Sequence, residues 1–475
     1  MNRSYAIRAV LTYLLSLIFS VISISGTLCA QTTANTQSQL PVPAMVGVDN
    51  SAAPAETYNP DTSGERMMVP PPVGGQTYPI ALGSQERSNY LESGLSFTTA
   101  YMDNVLGGIS THPVSDITYS VAPFVQLDET TARMHLALGY APGFTFYQRT
   151  QSANQADHNG SIDFEYRLSS HVTLSARDNF QKSSNPFNQP PALSGGFVSG
   201  GILIPDFSVV SPAADQLSNY GNVGINYQFA LNDMVGASGT FSTLYYPDQA
   251  QVPGLSGSSS QSGLAFYSHR LGTQQYIGVT YTFQRIVSTP TIGRTETQTQ
   301  AALLFYTFAP GFAKFSISLF GGPQYVDTMM SRPLLPLKSW TQSGGASLGW
   351  QAHLTSFALS YSHIISGGGG LGGAVSQDSG SLSVSQQLTK TLQASMSGGY
   401  MQNNIIGGQQ LGLSNGHSIF GSAFLQQTLG EHVNIQLGYT RVHQSYSDIE
   451  AISSNPDINR ESISISYQFS KSLGK

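Results

Sequence analysis

From Leu91 onward, apolar residues recur at every second position in blocks of about 9 to 12 residues, the length of a strand that crosses a bilayer at a tilt. The clearest block closes the chain. Ile463, Ile465, Tyr467 and Phe469 alternate with Ser462, Ser464, Ser466 and Gln468, so one face is apolar and the other polar. The same period recurs where Val223, Ile225, Tyr227 and Phe229 alternate with Asn222, Gly224, Asn226 and Gln228. It returns where Val433, Ile435, Leu437 and Tyr439 alternate with Asn434, Gln436, Gly438 and Thr440. A two-faced strand wants two surroundings: a second sheet and water in a sandwich, or lipid and a wet lumen in a barrel.

Turn spacing separates these. Tight turns are expected near 128–131, 169–171, 231–233, 272–274, 310–312, 351–353, 389–391 and 430–432, and longer Gly-, Ser-, Asn- and Pro-rich loops lie between them. Eight tight turns alternating with nine loops predict an all-β fold: a transmembrane antiparallel up-and-down β-barrel of about 18 strands with both chain ends on the tight-turn side. Even strand numbers, short periplasmic turns and long outer loops are the habit of bacterial single-chain barrels. Aromatic residues ending the apolar faces, such as Tyr140, Tyr166, Tyr439 and Phe469, fit girdles at the two membrane interfaces.

Composition supports the membrane reading. Only 10% of the residues are charged, against about 25% in soluble domains, while 24 Tyr and 23 Phe argue that most of the chain folds. The mean hydropathy of -0.09 and the absence of long apolar runs beyond the first 30 residues exclude a helical bundle in the membrane. At the start, Arg3 and Arg8 precede an apolar stretch over 9–24 and a small-residue site ending at Ala30, which reads as a cleaved secretory signal peptide over 1–30. The single cysteine, Cys29, falls inside it, so the exported chain would carry neither a disulfide nor a thiolate metal site. Losing the leader removes two arginines and no acid, which moves the net charge from -6 to -8, a poor balance for binding nucleic acid. Residues 31–89, rich in Pro, Ser, Thr and Gln, read as a disordered periplasmic tether; 90–470 is the barrel and 471–475 a C-terminal tail.

The final strand, with Tyr467 and Phe469, resembles the assembly signal of outer-membrane proteins, although that pattern usually stops at the aromatic residue and six residues follow Phe469 here. The runs at 140–149 and 164–180 resemble segments of outer-membrane β-barrel proteins of the porin type. That resemblance spans roughly 91–469 and implies location in the outer membrane of a Gram-negative bacterium, contact with its lipid and delivery by the barrel-assembly machinery. It specifies architecture and no substrate. Related barrels sometimes accompany polysaccharide export.

The candidate chemistry is that of a pore. If Ile162, Phe164, Tyr166 and Leu168 face lipid, then Asp163, Glu165 and Arg167 face the lumen, and Arg177 joins them across the tight turn. This patch is either a self-neutralising ladder or a setter of selectivity. The longest loop, 182–217, carries Lys182, Asp206 and Asp215 and is the candidate for an inward-folded constriction. The glycine-rich run at 366–373 lacks the Lys-Ser/Thr of a phosphate cradle and reads as flexible. Ten scattered histidines show no metal-ligand spacing, no catalytic motif is recognisable, and no cofactor is expected. The resulting expectation is a porin-like channel for passive diffusion of small polar solutes. The alternative is a structural or assembly barrel of a polysaccharide or secretion export system. A monomer and a homo-oligomer fit the pattern equally.

Overall fold

In a computed structural model of the chain, the described residues are 67 and 89–473, other than 107–111, 184–196, 199–201, 204–214, 250–251, 273, 291–292, 309–314, 331–336, 353, 408–414, 447–448 and 450–456. The expected signal peptide, and the tether apart from Met67 and Asn89, lie outside them.

The strands, in chain order, are β1 (Tyr90–Met102), β2 (Asp116–Thr130), β3 (Met134–Tyr147), β4 (Gln155–Arg167), β5 (Val172–Ser183), the two-residue β6 (Phe197–Val198) and β7 (Ile202–Leu203), β8 (Gln216–Ala230), β9 (Asp233–Tyr245) and β10 (Ser258–Gly272). They continue as β11 (Gln275–Ser288), β12 (Thr295–Phe308), β13 (Phe315–Met330), β14 (Leu337–Gln351), β15 (Thr355–Ser366), β16 (Val375–Gln387), β17 (Leu392–Ile405), β18 (Gly416–Leu429), β19 (Val433–Tyr446) and β20 (Asp457–Ser472). Leaving aside the β6–β7 hairpin, they form one 18-stranded sheet. Neighbours in sequence pair antiparallel, and β1 pairs antiparallel with β20 from Tyr90↔Ser472 to Met102↔Arg460. That last ladder closes the barrel and removes both sheet edges, which is what makes strands viable in lipid.

Each barrel strand has 12 to 16 residues, more than the roughly 9 to 11 that cross a bilayer, so strand ends project into the interfaces. Connections alternate short and long as expected, except that the one between β12 and β13, 309–314, has six residues, as many as those before and after it. Three of the short turns share one device: a hydroxyl at the first turn position accepts the amide three residues on, Thr131 from Met134 at 3.0 Å, Ser169 from Val172 at 3.1 Å and Thr389 from Leu392 at 3.0 Å. β20 runs on to Ser472, two residues past the expected end of the barrel, because β1 begins at Tyr90 and offers partners that far.

Candidate functional site

Along most barrel strands, exposed and covered positions alternate, while on β4 and β5 most positions are of intermediate exposure. On β11, Ile277, Val279 and Tyr281 are exposed while Tyr276 and Thr280 are buried; on β12, Leu304 is exposed while Thr297, Thr299 and Leu303 are buried. The exposed set is the apolar one that lipid requires, and clusters that join strands far apart in the ring belong to the covered set, which therefore faces the lumen. Inward aromatics lie flat on the wall: the ring of Phe266 occupies the place of a side chain at Gly236, Phe305 that at Gly278, and Phe424 that at Gly438. A glycine opposite each ring keeps it out of the channel.

The molecule is an outer-membrane-type β-barrel. Closed even-stranded barrels with an outward apolar band belong to bacterial outer membranes, and that architecture carries the assignment. No protein-family model matches the chain, and no curated protein matches it. Among solved structures, it is similar to OccK2 (OpdF) of Pseudomonas aeruginosa at 11% identity, covering 82% of this chain and 100% of that one with a TM-score of 0.39. It is likewise similar to Pseudomonas aeruginosa OpdK with vanillate, at 11% identity, 80% and 99% coverage and a TM-score of 0.40. A third similarity is to the FrpB iron transporter of Neisseria meningitidis, at 8% identity, 78% and 63% coverage and a TM-score of 0.38.

The lumen of this outer-membrane barrel has two unlike walls. On β20 and β1–β5 the inward positions carry Arg460, Glu92, Asp116, Asp128, His135, Asp157, Asp163, Glu165, Arg167 and Arg177. On β8–β19 the inward residues are Ser, Thr, Gln, Asn, Gly and apolar side chains, and Arg270 is the one charged residue among those described. Asp163 and Arg177 are directly opposite across β4 and β5, with Arg177 Nε 2.8 Å from Asp163 Oδ2; Arg167 Nε lies 3.7 Å from Glu165 Oε1 on the same strand. The four residues singled out from sequence thus share one inward patch. Three more join it. His135 stands opposite Glu165 and reaches Asp128 at 3.5 Å, and the 2% exposed Glu92 lies on β1 beside them. Asp128 was expected in a tight turn, but β2 continues to Thr130 and turns its carboxylate inward. Finding these from sequence needed only the parity of β1–β3, where Pro123, Gly139 and Pro142 blur the alternation.

At the long-loop mouth, the lumen is crossed by protein. Leu244 of β9 and Tyr246, Val252 and Leu255 of the following loop pack with Leu371, Val375, Ile405, Tyr446 and Ile449, which come from the far side of the ring. Leu371 belongs to the glycine-rich connection between β15 and β16. Gly368, Gly369 and Gly370 have φ of 70°, 48° and 101°, a left-handed run that side chains with a Cβ resist, and all three are buried. The run is held: the Ser256 amide donates to Gly370 O at 2.8 Å, Thr295 Oγ1 to Gly372 O at 3.3 Å, and the Ile406 amide to Ala374 O at 2.9 Å. The glycines therefore serve an enclosed fold rather than flexibility. Tyr246 is 1% exposed, burial pushes its phenol well above the usual tyrosine range, and its Oη has no hydrogen-bond partner among the described residues. A Cβ at Gly370 would stand 2.6 Å from that oxygen. Sequence offered a faint signal for this plug: Leu371 is an isolated apolar residue inside a glycine run.

Of the expected constriction residues, Lys182 and Asp215 are described. Lys182 shares the outward face of β5 with Phe180, and its Nζ lies 3.2 Å from Asp215 Oδ2, so the pair clasps the points where the longest connection leaves and rejoins the barrel. β5 extends to Ser183 and β8 starts at Gln216, which shortens that loop to 184–215; Asp206 lies outside the described residues. At the short-turn mouth, the Met67 amide donates to Gln228 Oε1 at 3.1 Å, and Met67 packs with Met234 and Tyr276. Tyr467 and Phe469 are about half exposed on the outward face of β20, opposite Leu95 and Ser93 of β1. Among the described residues, no group of three or more His, Cys, Asp or Glu could hold a metal ion.

Proposed function

We propose that this barrel is a restrictive porin-like channel through which small polar solutes diffuse passively. The reading rests on the inward face of β8–β19, a nearly uncharged surface of hydroxyls and amides that exchanges hydrogen bonds with a passing solute as water does. Facing it, Glu92, Asp116, Asp128, Asp157, Asp163 and Glu165 outnumber Arg167, Arg177 and Arg460, an excess of three negative charges when every acid is ionised and His135 is neutral. A pore wall of that sign favours neutral and cationic solutes over anions. The apolar crossing at the long-loop mouth sets the restriction, and displacing it opens the path.

Single-channel recording in a planar bilayer tests this. Wild-type protein should show small or infrequent steps with a reversal potential shifted toward cations in a salt gradient. Replacing 367–373 by a two-residue turn should enlarge the steps or make them persistent. Silence from both proteins, with folding verified by heat-modifiable gel mobility, would overturn the channel reading in favour of a structural or export-system barrel. The outward aromatics Tyr467 and Phe469 fit the same proposal as the signal read by the barrel-assembly machinery. Phe469→Ala should then lower the amount of folded barrel in the outer membrane without altering its unit conductance.

A further inference from the structure

The outward face of β11–β14 carries a second site, away from the lumen. Its elements are successive partners in the sheet: Arg285 opposite Gln298, Gln298 opposite Asp327, and Asp327 opposite Lys338. Arg285 Nε meets Glu296 Oε1 at 2.7 Å, Arg294 Nη2 meets Glu296 Oε2 at 3.2 Å, and Lys338 Nζ meets Asp327 Oδ2 at 3.2 Å. Exposure divides the partners. The cations are 36%, 57% and 62% exposed and the two acids only 18% and 25%, so the carboxylates lie underneath and hold three cationic groups up to the outside. Three positive against two negative charges leave the patch cationic.

Its position along the strands fixes what it meets. Toward the short turns, beyond Gln300 on β12 and Gln342 on β14, the outward face becomes apolar: Val279, Tyr281 and Phe283 on β11, Leu304 on β12 and Leu319 on β13 are exposed there. At the boundary the rings of Tyr325 and Trp340 meet at 5.2 Å, and Trp340 is 71% exposed, as interfacial aromatics are. The cations thus sit one step above the hydrocarbon, at headgroup depth, on the long-loop side that faces outward in such barrels. Exposed guanidinium and ammonium groups beside a lipid-facing wall match phosphate oxygens, which take charge-assisted hydrogen bonds from both.

We propose that Arg285, Arg294 and Lys338, with Trp340 beneath them, bind the phosphorylated headgroup of a lipid in the outer leaflet while its acyl chains lie on the apolar face of β11–β14. The acids Glu296 and Asp327 position the cations, which stay exposed on the outside of the barrel. This site is independent of conduction.

The test uses the full-length barrel in detergent, titrated with diphosphorylated lipid A, the same lipid dephosphorylated, and phosphatidylethanolamine, and read by native mass spectrometry. The wild type should prefer the diphosphorylated lipid over its dephosphorylated form by roughly tenfold or more. The triple variant Arg285→Gln, Arg294→Gln, Lys338→Gln should lose that preference while keeping heat-modifiable mobility. Because these substitutions strand two acids, a second variant that also carries Glu296→Gln and Asp327→Asn must behave alike. A control removing cations at a distant rim, Lys182→Gln, should retain the preference. Equal affinity of the wild type for the two forms of lipid A would overturn the proposal. So would competition of lipid binding by millimolar inorganic phosphate, since that would mark a site for the free anion.

Discussion

The two walls of the lumen solve different problems. The wall of β20 and β1–β5 carries part of its charge as short ladders, Asp163 with Arg177 and Glu165 with Arg167, so that each of these four has a neighbour of opposite sign and the polar interior tolerates it. The wall of β8–β19 avoids charge and pairs hydroxyls instead, as Ser360 with Ser381 at 2.7 Å, Ser397 with Ser422 at 2.6 Å and Thr297 with Thr328 at 3.0 Å. Both glycine-rich and Tyr246-bearing crossings spring from this second wall. An apolar plug can settle against an uncharged wall, but against ion pairs it would strip water from charge at a cost of several kcal/mol per ion. In the proposed channel, selectivity and closure are thereby divided between the walls.

The largest effect should come from breaking the closure. Gly370→Val places a β-branched side chain at φ 101° and against Tyr246. Left-handed strain and overpacking each cost about 1 to 3 kcal/mol, enough together to expel the run from the mouth. Conductance should rise toward that of the loop-shortened protein. Unchanged steps would mean that the run does not limit the path.

Next in size is the charged wall. Arg177→Ala leaves Asp163, 20% exposed at its side chain, without its closest cation. Stranding a largely covered carboxylate should cost about 1 to 3 kcal/mol in denaturant unfolding. The reversal potential in a salt gradient should shift further toward cations, since the excess of negative charge grows by one. A shift the other way would show that Asp163 and Arg177 do not face the conducting path.

How much of this was readable in the sequence depended on how many strands enforce the same rule. The strand number, the alternation of short and long connections and the inward set Asp163, Glu165, Arg167 and Arg177 followed from period-two patterning, because lipid penalises every polar residue on one face. The plug did not. Its residues are drawn from β9, three loops, β16, β17 and β19, and no local pattern marks Leu371 and Tyr446 as partners across a ring. Inward aromatics were equally hidden: Phe305 on β12 reads as a fault in a polar face until Gly278 is found opposite it on β11. The long connection at 184–215 drew attention by its length, whereas the short glycine run that enters the mouth looked like slack.

A smaller change tunes the closure instead of breaking it. Tyr246→Phe removes a buried hydroxyl that has no partner among the described residues and keeps the ring in its place. Relieving an unsatisfied polar group should strengthen the plug by about 1 to 3 kcal/mol, seen as rarer openings at unaltered unit conductance. More frequent openings would show that the hydroxyl holds the plug through a contact the closed form conceals.

The least effect is expected on the neutral wall itself, and it makes the sharpest test of the division. Ser360→Ala breaks one hydroxyl pair, yet Ser381 keeps a lumen in which to find another partner. Stability should move by no more than about 0.5 kcal/mol, as at solvated surface positions. Ion selectivity should stay where it was, because no charge has changed. If this substitution instead altered selectivity as much as Arg177→Ala, the hydroxyls would be acting as ligands for the permeating ion rather than as a substitute for water. The two walls would then read solutes together, one by charge and one by coordination, and the neutral wall could no longer be treated as a passive support for the plug.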